Sequence, residues 1–456
     1  MRHDRHGFWI AKAGGGPAPL APLHETLDAD VLVVGGGFAG LWSAWHVLEA
    51  APDARVVLLE AERCGFGPSG RNGGFVNSLW LSRPGLEERF GPKAATELAA
   101  ASADSVRAIG AWCEAEDVDA AYRAASHPVV SAAPAQDGVG SVAVDGEHVL
   151  ALSAAEVQRI CASPVLRAGV LVRTAATVDP ARLAFGLRDR LLARGVRIFE
   201  GTRVAALRDG VAETDGGGRV RAGATVLALG AASGTVRPLR ESLTVASSHI
   251  VVTEPVPDVV DVLGWTGGQA ITDGRALLHY FRVTPDDRIL FGWAGGRMFP
   301  GARANAPRAG VDPEVIARVR GDLVRTFPPL AGRAIAHAWG GPIDVSPAHL
   351  PSVVTLGART HAAFGFTGNG VGPAHLVGRS LAALALGRSG DRAARLGWVD
   401  PPASSVPPEP IRIAGAALVR RALVAKEAAE ERGTRADPLT RAVAELPARL
   451  GMHLVR

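Results

Sequence analysis

Cysteine, lysine and long apolar runs are all scarce in this chain of 456 residues. The 3 cysteines, Cys64, Cys113 and Cys161, stand too far apart for a disulfide framework or a metal-ligand set. That scarcity fits a reducing cytoplasm and predicts no metal site. Only 3 of the 49 basic residues are lysine (Lys12, Lys93, Lys426), and with so much Ala and Gly the arginine bias reads first as codon usage. The net charge is +4, and the basic residues alternate with acidic ones rather than forming the stripe a nucleic acid needs. No uninterrupted apolar segment approaches the roughly 18 residues of a membrane span. The opening MRHDRHGFWIAKAGGG lacks the apolar stretch of a signal peptide. These absences predict a soluble, cytoplasmic protein with no membrane span and no nucleic-acid partner.

What is present is an ordinary globular balance, 47% apolar and 21% charged, in a chain long enough for two or three domain-sized units. Residues 1–26 read as an arm without periodicity. Then DADVLVVGGG, FAGLWSAWHVLEAA and ARVVLLEAE give strand, helix and strand within one βαβ unit. Strands without alternation suit a parallel sheet covered on both faces. Helical spacing marks 86–117, 180–195, 312–327 and 370–387, and strands recur through 247–298. This interleaving predicts an α/β chain of two domains. A dinucleotide-binding, Rossmann-like domain takes residues 27–95, 165–240 and 335–400. An inserted, antiparallel β-rich substrate domain takes 96–164 and 241–334. A Pro-rich linker and helices follow over 401–456.

Gly35, Gly37 and Gly40 form G-x-G-x-x-G between the strand and the helix that begins at Phe38 and Ala39. The first glycine permits the tight turn, the second lets backbone approach a pyrophosphate, and the third lets helix and strand pack closely. The helix N-terminus offers free N–H groups to the diphosphate. Glu60, followed by Ala61, ends the next strand 23 residues beyond Gly37, where a carboxylate accepts from ribose hydroxyls. A second glycine-dense loop, CGFGPSGRNGG over 64–74, favours FAD over NAD, since it can wrap the diphosphate and reach the isoalloxazine edge.

Together with VLALGAAS, ITDGRALLHYFRVTPDDRILFGW and GFTGNGVGPAHLVGRSLA, these blocks resemble the D-amino-acid-oxidase-like flavoprotein superfamily over about residues 28–400. The nearest branch is the one around γ-glutamylputrescine oxidase, with sarcosine and glycine oxidases more distant. The resemblance implies that Gly35, Gly37, Phe38, Ala39, Gly40, Glu60 and Ala61 hold the ADP half of FAD, with Val204 near the adenine and Gly230 in a later turn. It implies that Ser69, Gly70, Arg71, Asn72, Gly73 and Gly74 line the flavin side. The block Gly368, Asn369, Gly370 and Val371 would aim a helix N-terminus at the pyrimidine end of the ring. Asn369 stands where many relatives carry histidine. Sarcosine-oxidase-like relatives attach flavin through a cysteine in the C-terminal half, and this chain has none after Cys161, so the resemblance implies non-covalent FAD.

The implied reaction is oxidation of a C–N bond of an amine or amino acid: hydride transfer to the flavin, hydrolysis of the imine, and reoxidation by O2 giving H2O2. Transfer to another acceptor, or a non-catalytic protein on the same fold, are the alternatives. In LLHYFRVT, period-2 alternation puts Tyr280 and Arg282 on one face and His279 on the other. Tyr280 is expected to wall the flavin and Arg282 to clamp an acidic group of the substrate. Trp339 is expected near the ring, and His249 and His337 stand as possible bases.

Overall fold

A computed structural model describes residues 1–450 apart from 4, 209 and 303–305. Two sheets organise it. The first is parallel at its centre, running Thr360–Phe364, Arg219–Leu227, Thr26–Val34, Val56–Leu59 and Arg197–Phe199, with Ser352–Gly357 antiparallel at one edge. Its strands are apolar because both faces are covered: Val31, Leu32 and Val33 are fully buried. The helix Phe38–Ala50 is buried along nearly its whole length, and helix Val371–Ala385 packs closely across it. Gly378 makes that approach possible, since a Cβ there would meet Trp42 Cβ at 2.7 Å.

Among the described residues the second sheet has 11 strands, nine of them ordered from Arg2–His3 through Ile335–Val345, Thr244–Thr253, Ile289–Trp293, His279–Val283, Ile271–Asp273, Arg123–Val130 and Gly169–Thr177 to Phe75–Asn77, with Met298–Phe299 and Val149–Leu152 paired to its side. Its membership crosses the expected segments. Phe75–Asn77, Gly169–Thr177 and Ile335–Val345 fall in segments assigned above to the dinucleotide domain, yet they pair within this long sheet. Helix Pro313–Thr326 covers one face of it around Phe281, Phe291 and Phe327.

Segments towards both ends of the described residues form regular elements. Residues 1–26 contain a short strand beside Ile335–Val345 and the helix Gly7–Lys12, in which Trp9 is fully buried. The C-terminal segment forms helices Ile411–Glu431, Pro438–Ala444 and Leu446–Arg449.

Candidate active site

A cleft of about 1400 Å³ runs between the two sheets. Its nucleotide end opens at the C-terminal tip of Thr26–Val34, where the sequence supplies the glycine turn. Gly35 has φ +110, and a Cβ on it would collide with the Ala228 carbonyl. A Cβ at Gly40 would collide with the Gly35 carbonyl, so helix and strand meet only without one. Gly37 caps the helix, and a Cβ there would stand 2.9 Å from Ser69 Oγ. Ser69 Oγ accepts from Phe38 N–H at 2.9 Å and so joins the second loop to the helix start. Glu60 accepts from Gly36 N–H at 2.7 Å and Glu62 N–H at 2.8 Å. Its burial raises its pKa against those two bonds. Ala61, Val204 and Gly230 line the same end.

The second loop, 69–74, holds itself. Asn72 Nδ2 donates to the Ser69 carbonyl at 2.7 Å, and its Oδ1 accepts from Gly74 N–H at 2.7 Å. Gly74 has φ +76 and its Cβ would strike the Val178 carbonyl, so no other residue fits that turn well. Ser69, Arg71, Asn72 and Gly73 line the cleft, whereas Gly40, Gly70 and Gly74 support it from behind. Burial lowers the Arg71 pKa to about 10. Arg71 Nη1 donates to the Arg5 carbonyl at 2.9 Å, which brings the N-terminal segment to the loop. Across the cleft, Gly368, Asn369, Gly370 and Val371 form the lining at the start of helix Val371–Ala385. The sequence reading missed Asp344, which stands beside them. Its carboxylate accepts from Gly365 N–H at 2.6 Å, and burial pushes its pKa up to about 6.

The substrate-side expectations separate. Tyr280 lines the cleft, edge-on to Phe75 at 5.8 Å and packed at Gly73, with its hydroxyl 2.6 Å from Ser248 Oγ. Arg282 shares its face but lies deeper and does not reach the cleft. Its Nη1 donates to the Gly74 carbonyl at 3.0 Å and the Val178 carbonyl at 2.8 Å, so it clamps the end of loop 69–74 from behind. Trp339 also stands behind the loop, its Nε1–H donating to the Arg71 carbonyl at 2.8 Å. His249 points away from the cleft, because Ser248 and Ile250 on either side of it point in. Burial lowers its pKa to about 4, so it is neutral and packed against Gly340. His337 packs against Phe8.

The glycine turn, Glu60 and the second loop thus stand together on one cleft. The family described as DAO, FAD dependent oxidoreductase, matches residues 30–384. The chain belongs to this family. This FAD dependent oxidoreductase is 30% identical over 382 residues to gamma-glutamylputrescine oxidoreductase of Escherichia coli, covering 81% of this chain and 86% of that protein. It is 27% identical to the probable oxidoreductase OrdL of Rhizobium meliloti, over 81% and 86% of the two chains. Among solved structures, L-proline dehydrogenase from P. horikoshii shares the fold at TM-score 0.66 and 16% identity, covering 83% of this chain and 97% of that one. Glycine oxidase from Geobacillus kaustophilus shares it at TM-score 0.62 and 20% identity, over 79% and 95%. Among the described residues of this oxidoreductase, no helix is long and apolar enough to cross a membrane.

Proposed function

We propose that this oxidoreductase oxidises a C–N bond of an amine or amino acid, with non-covalently bound FAD and with O2 as acceptor. The observation that carries the reading is the convergence of three backbone devices on one cleft: the turn 35–40, the loop 69–74 and the helix start 368–371. The first would hold the ADP half, the second the flavin edge and the third the pyrimidine end of the ring. Bound there, FAD supplies the two-electron acceptor for the C–H bond next to nitrogen and returns the electrons to O2. Overall, substrate, O2 and water give a carbonyl product, a freed amine and H2O2. The gamma-glutamylputrescine oxidoreductase relative supports a nitrogen-bearing substrate.

The protein's own residues bind, orient and exclude water. Tyr280 and Phe75 wall the middle of the cleft, and burial raises the Tyr280 pKa, so the phenol stays protonated. Its hydrogen bond with Ser248 fixes the ring. An amine reacts as the free base, and an apolar lining disfavours the ammonium form. No side-chain base is required once the free amine binds. Non-covalent attachment is supported by the cysteines: all three are buried, and none lines the cleft.

The test is anaerobic mixing of the purified protein with a panel of primary and secondary amines and amino acids, watching flavin absorbance, then admitting O2. Bleaching by one class, followed by recovery of colour with stoichiometric H2O2, is expected. A yellow protein that none of the panel bleaches would overturn the C–N assignment. Bleaching without recovery in O2, but with recovery by an artificial acceptor, would overturn the oxidase half.

A further inference from the structure

The family match ends at residue 384, yet the substrate end of the cleft is closed by a helix beyond it. Helix Ile411–Glu431 presents Ile411, Gly415, Val419 and Leu423 in one stripe, and Arg412, Ala416 and Arg420 in the adjacent one. All of these residues line the cleft. Spacing of four places each stripe on one face, and Gly415 and Ala416 leave room opposite the substrate strands. The helix is fastened along its length. Arg412 Nη1 donates to the Arg240 and Leu243 carbonyls at 2.7 and 2.9 Å, and Leu277 N–H donates to Glu427 at 3.0 Å. At its far end Glu431 pairs with Arg275 and, at 3.2 Å, with Arg325.

The charges of this end are one-sided. Among the described residues lining the cleft, the carboxylates are Glu60, Glu62 and Asp344. The first two belong to the nucleotide end, and Asp344 is held by Gly365. Three arginines line the substrate end: Arg275, Arg412 and Arg420. Arg275 is answered by Asp273 at 2.8 Å and by Glu431, and Arg412 has Glu409 at 3.5 Å with its two carbonyls. Arg420 differs. Its Nε is anchored to the Gly295 and Gly296 carbonyls at 2.9 and 2.5 Å, and no carboxylate among the described residues pairs with it. Its guanidinium lies 5.7 Å from the centroid of the Trp293 ring, and burial, with Arg297 and Arg318 nearby and Asp312 acting against them, lowers its pKa from the usual arginine range.

From this placement we infer that Arg420 is a specificity-determining residue that reads a carboxylate on the substrate, against the apolar stripe Ile411, Val419 and Leu423. A backbone-anchored guanidinium keeps a planar fork of donors for a carboxylate, and an unpaired one favours that partner over neutral groups. A free polyamine would find no counter-charge at this end. An amine bearing a carboxylate beyond a short apolar body would find both features. The inference rests on the proposed C–N chemistry for its substrate but not for its test.

The test titrates butyrate, hexanoate and benzoate, with their carboxamides, into the oxidised flavin-bound protein, reading perturbation of the flavin spectrum. Carboxylates are expected to bind at least about tenfold more tightly than the matching carboxamides, and Arg420→Gln to weaken them about 10- to 100-fold. Arg420→Lys, which keeps the charge without the carbonyl anchors, is expected to stay within about tenfold of the unaltered protein. Equal binding of carboxylates and carboxamides, absence of binding by either, or unaltered carboxylate affinity in Arg420→Gln would each overturn the inference. Should Arg420→Gln fail to fold, the carboxylate-to-carboxamide ratio in the unaltered protein and in Arg420→Lys decides. Because the titration reads binding without turnover, an inert amine panel would sink the proposed reaction and leave this result standing.

Discussion

The two ends of the cleft are built from different materials. At the nucleotide end the contact surface is backbone, and glycines are required because a Cβ would strike a carbonyl at Gly35, Gly40 and Gly74. At the substrate end the surface is side chains brought from strands of the long sheet and from a helix near the C-terminus. A backbone cradle tolerates no enlargement, whereas a side-chain wall is open to change. The difference teaches why such a scaffold holds one cofactor and many substrates.

Four substitutions sharpen the contrast, from the largest expected effect to the smallest. Gly40→Val should abolish flavin binding, giving colourless or insoluble protein, because the branched side chain has no space against the Gly35 carbonyl. Ile411→Ala, at the other end, should purify with full flavin. Recovery of flavin-replete Gly40→Val would break the comparison. Arg282→Met comes next. It leaves the Val178 carbonyl without its buried donor and the Gly74 carbonyl with only the Val178 N–H, at a cost of about 1–3 kcal/mol. Its signature is weaker FAD binding and a lower Tm, read by flavin release and by melting. A raised substrate KM with FAD affinity unchanged would instead return Arg282 to the substrate.

The smallest effect concerns the fastening of the C-terminal helix. Burial raises the Glu427 carboxyl to about 7, against the opposing Leu277 N–H bond, with Arg275, Asp273 and His279 also facing it. An acid whose pKa is raised by folding adds stability below its unfolded value near 4.5 and loses it as pH rises through about 7. Glu427→Gln removes that loss. Its Tm should gain on the unaltered protein by a few degrees between pH 5 and about 8. A Tm difference flat across that range would contradict the assignment.

Much of the nucleotide end was legible in the sequence because its parts are contiguous: 35–40, 60 and 69–74 lie within forty residues and carry backbone requirements that only glycine meets. The substrate end was less so. Alternation correctly paired Tyr280 with Arg282 on one face, but it does not report depth, and Arg282 sits behind the loop. His249 was ambiguous for a different reason. Thr244–Thr253 is buried on both faces, so no polar alternation marks which side meets the cleft. Asp344 was not singled out, because its environment depends on Gly365, 21 residues on. The four-residue stripe from Ile411 to Leu423 was visible as an amphipathic helix, but what it faces is a tertiary fact. The N-terminal segment lacked periodicity because a helix as short as Gly7–Lys12 is defined by packing around Trp9.

The most direct measurement is the absorbance spectrum of the purified protein before and after acid precipitation. The account expects the two-banded spectrum of oxidised flavin, with the flavin recovered in the supernatant as FAD. Protein that is colourless and takes up no FAD on reconstitution would contradict the cradle, and flavin that stays with the precipitate would contradict non-covalent binding.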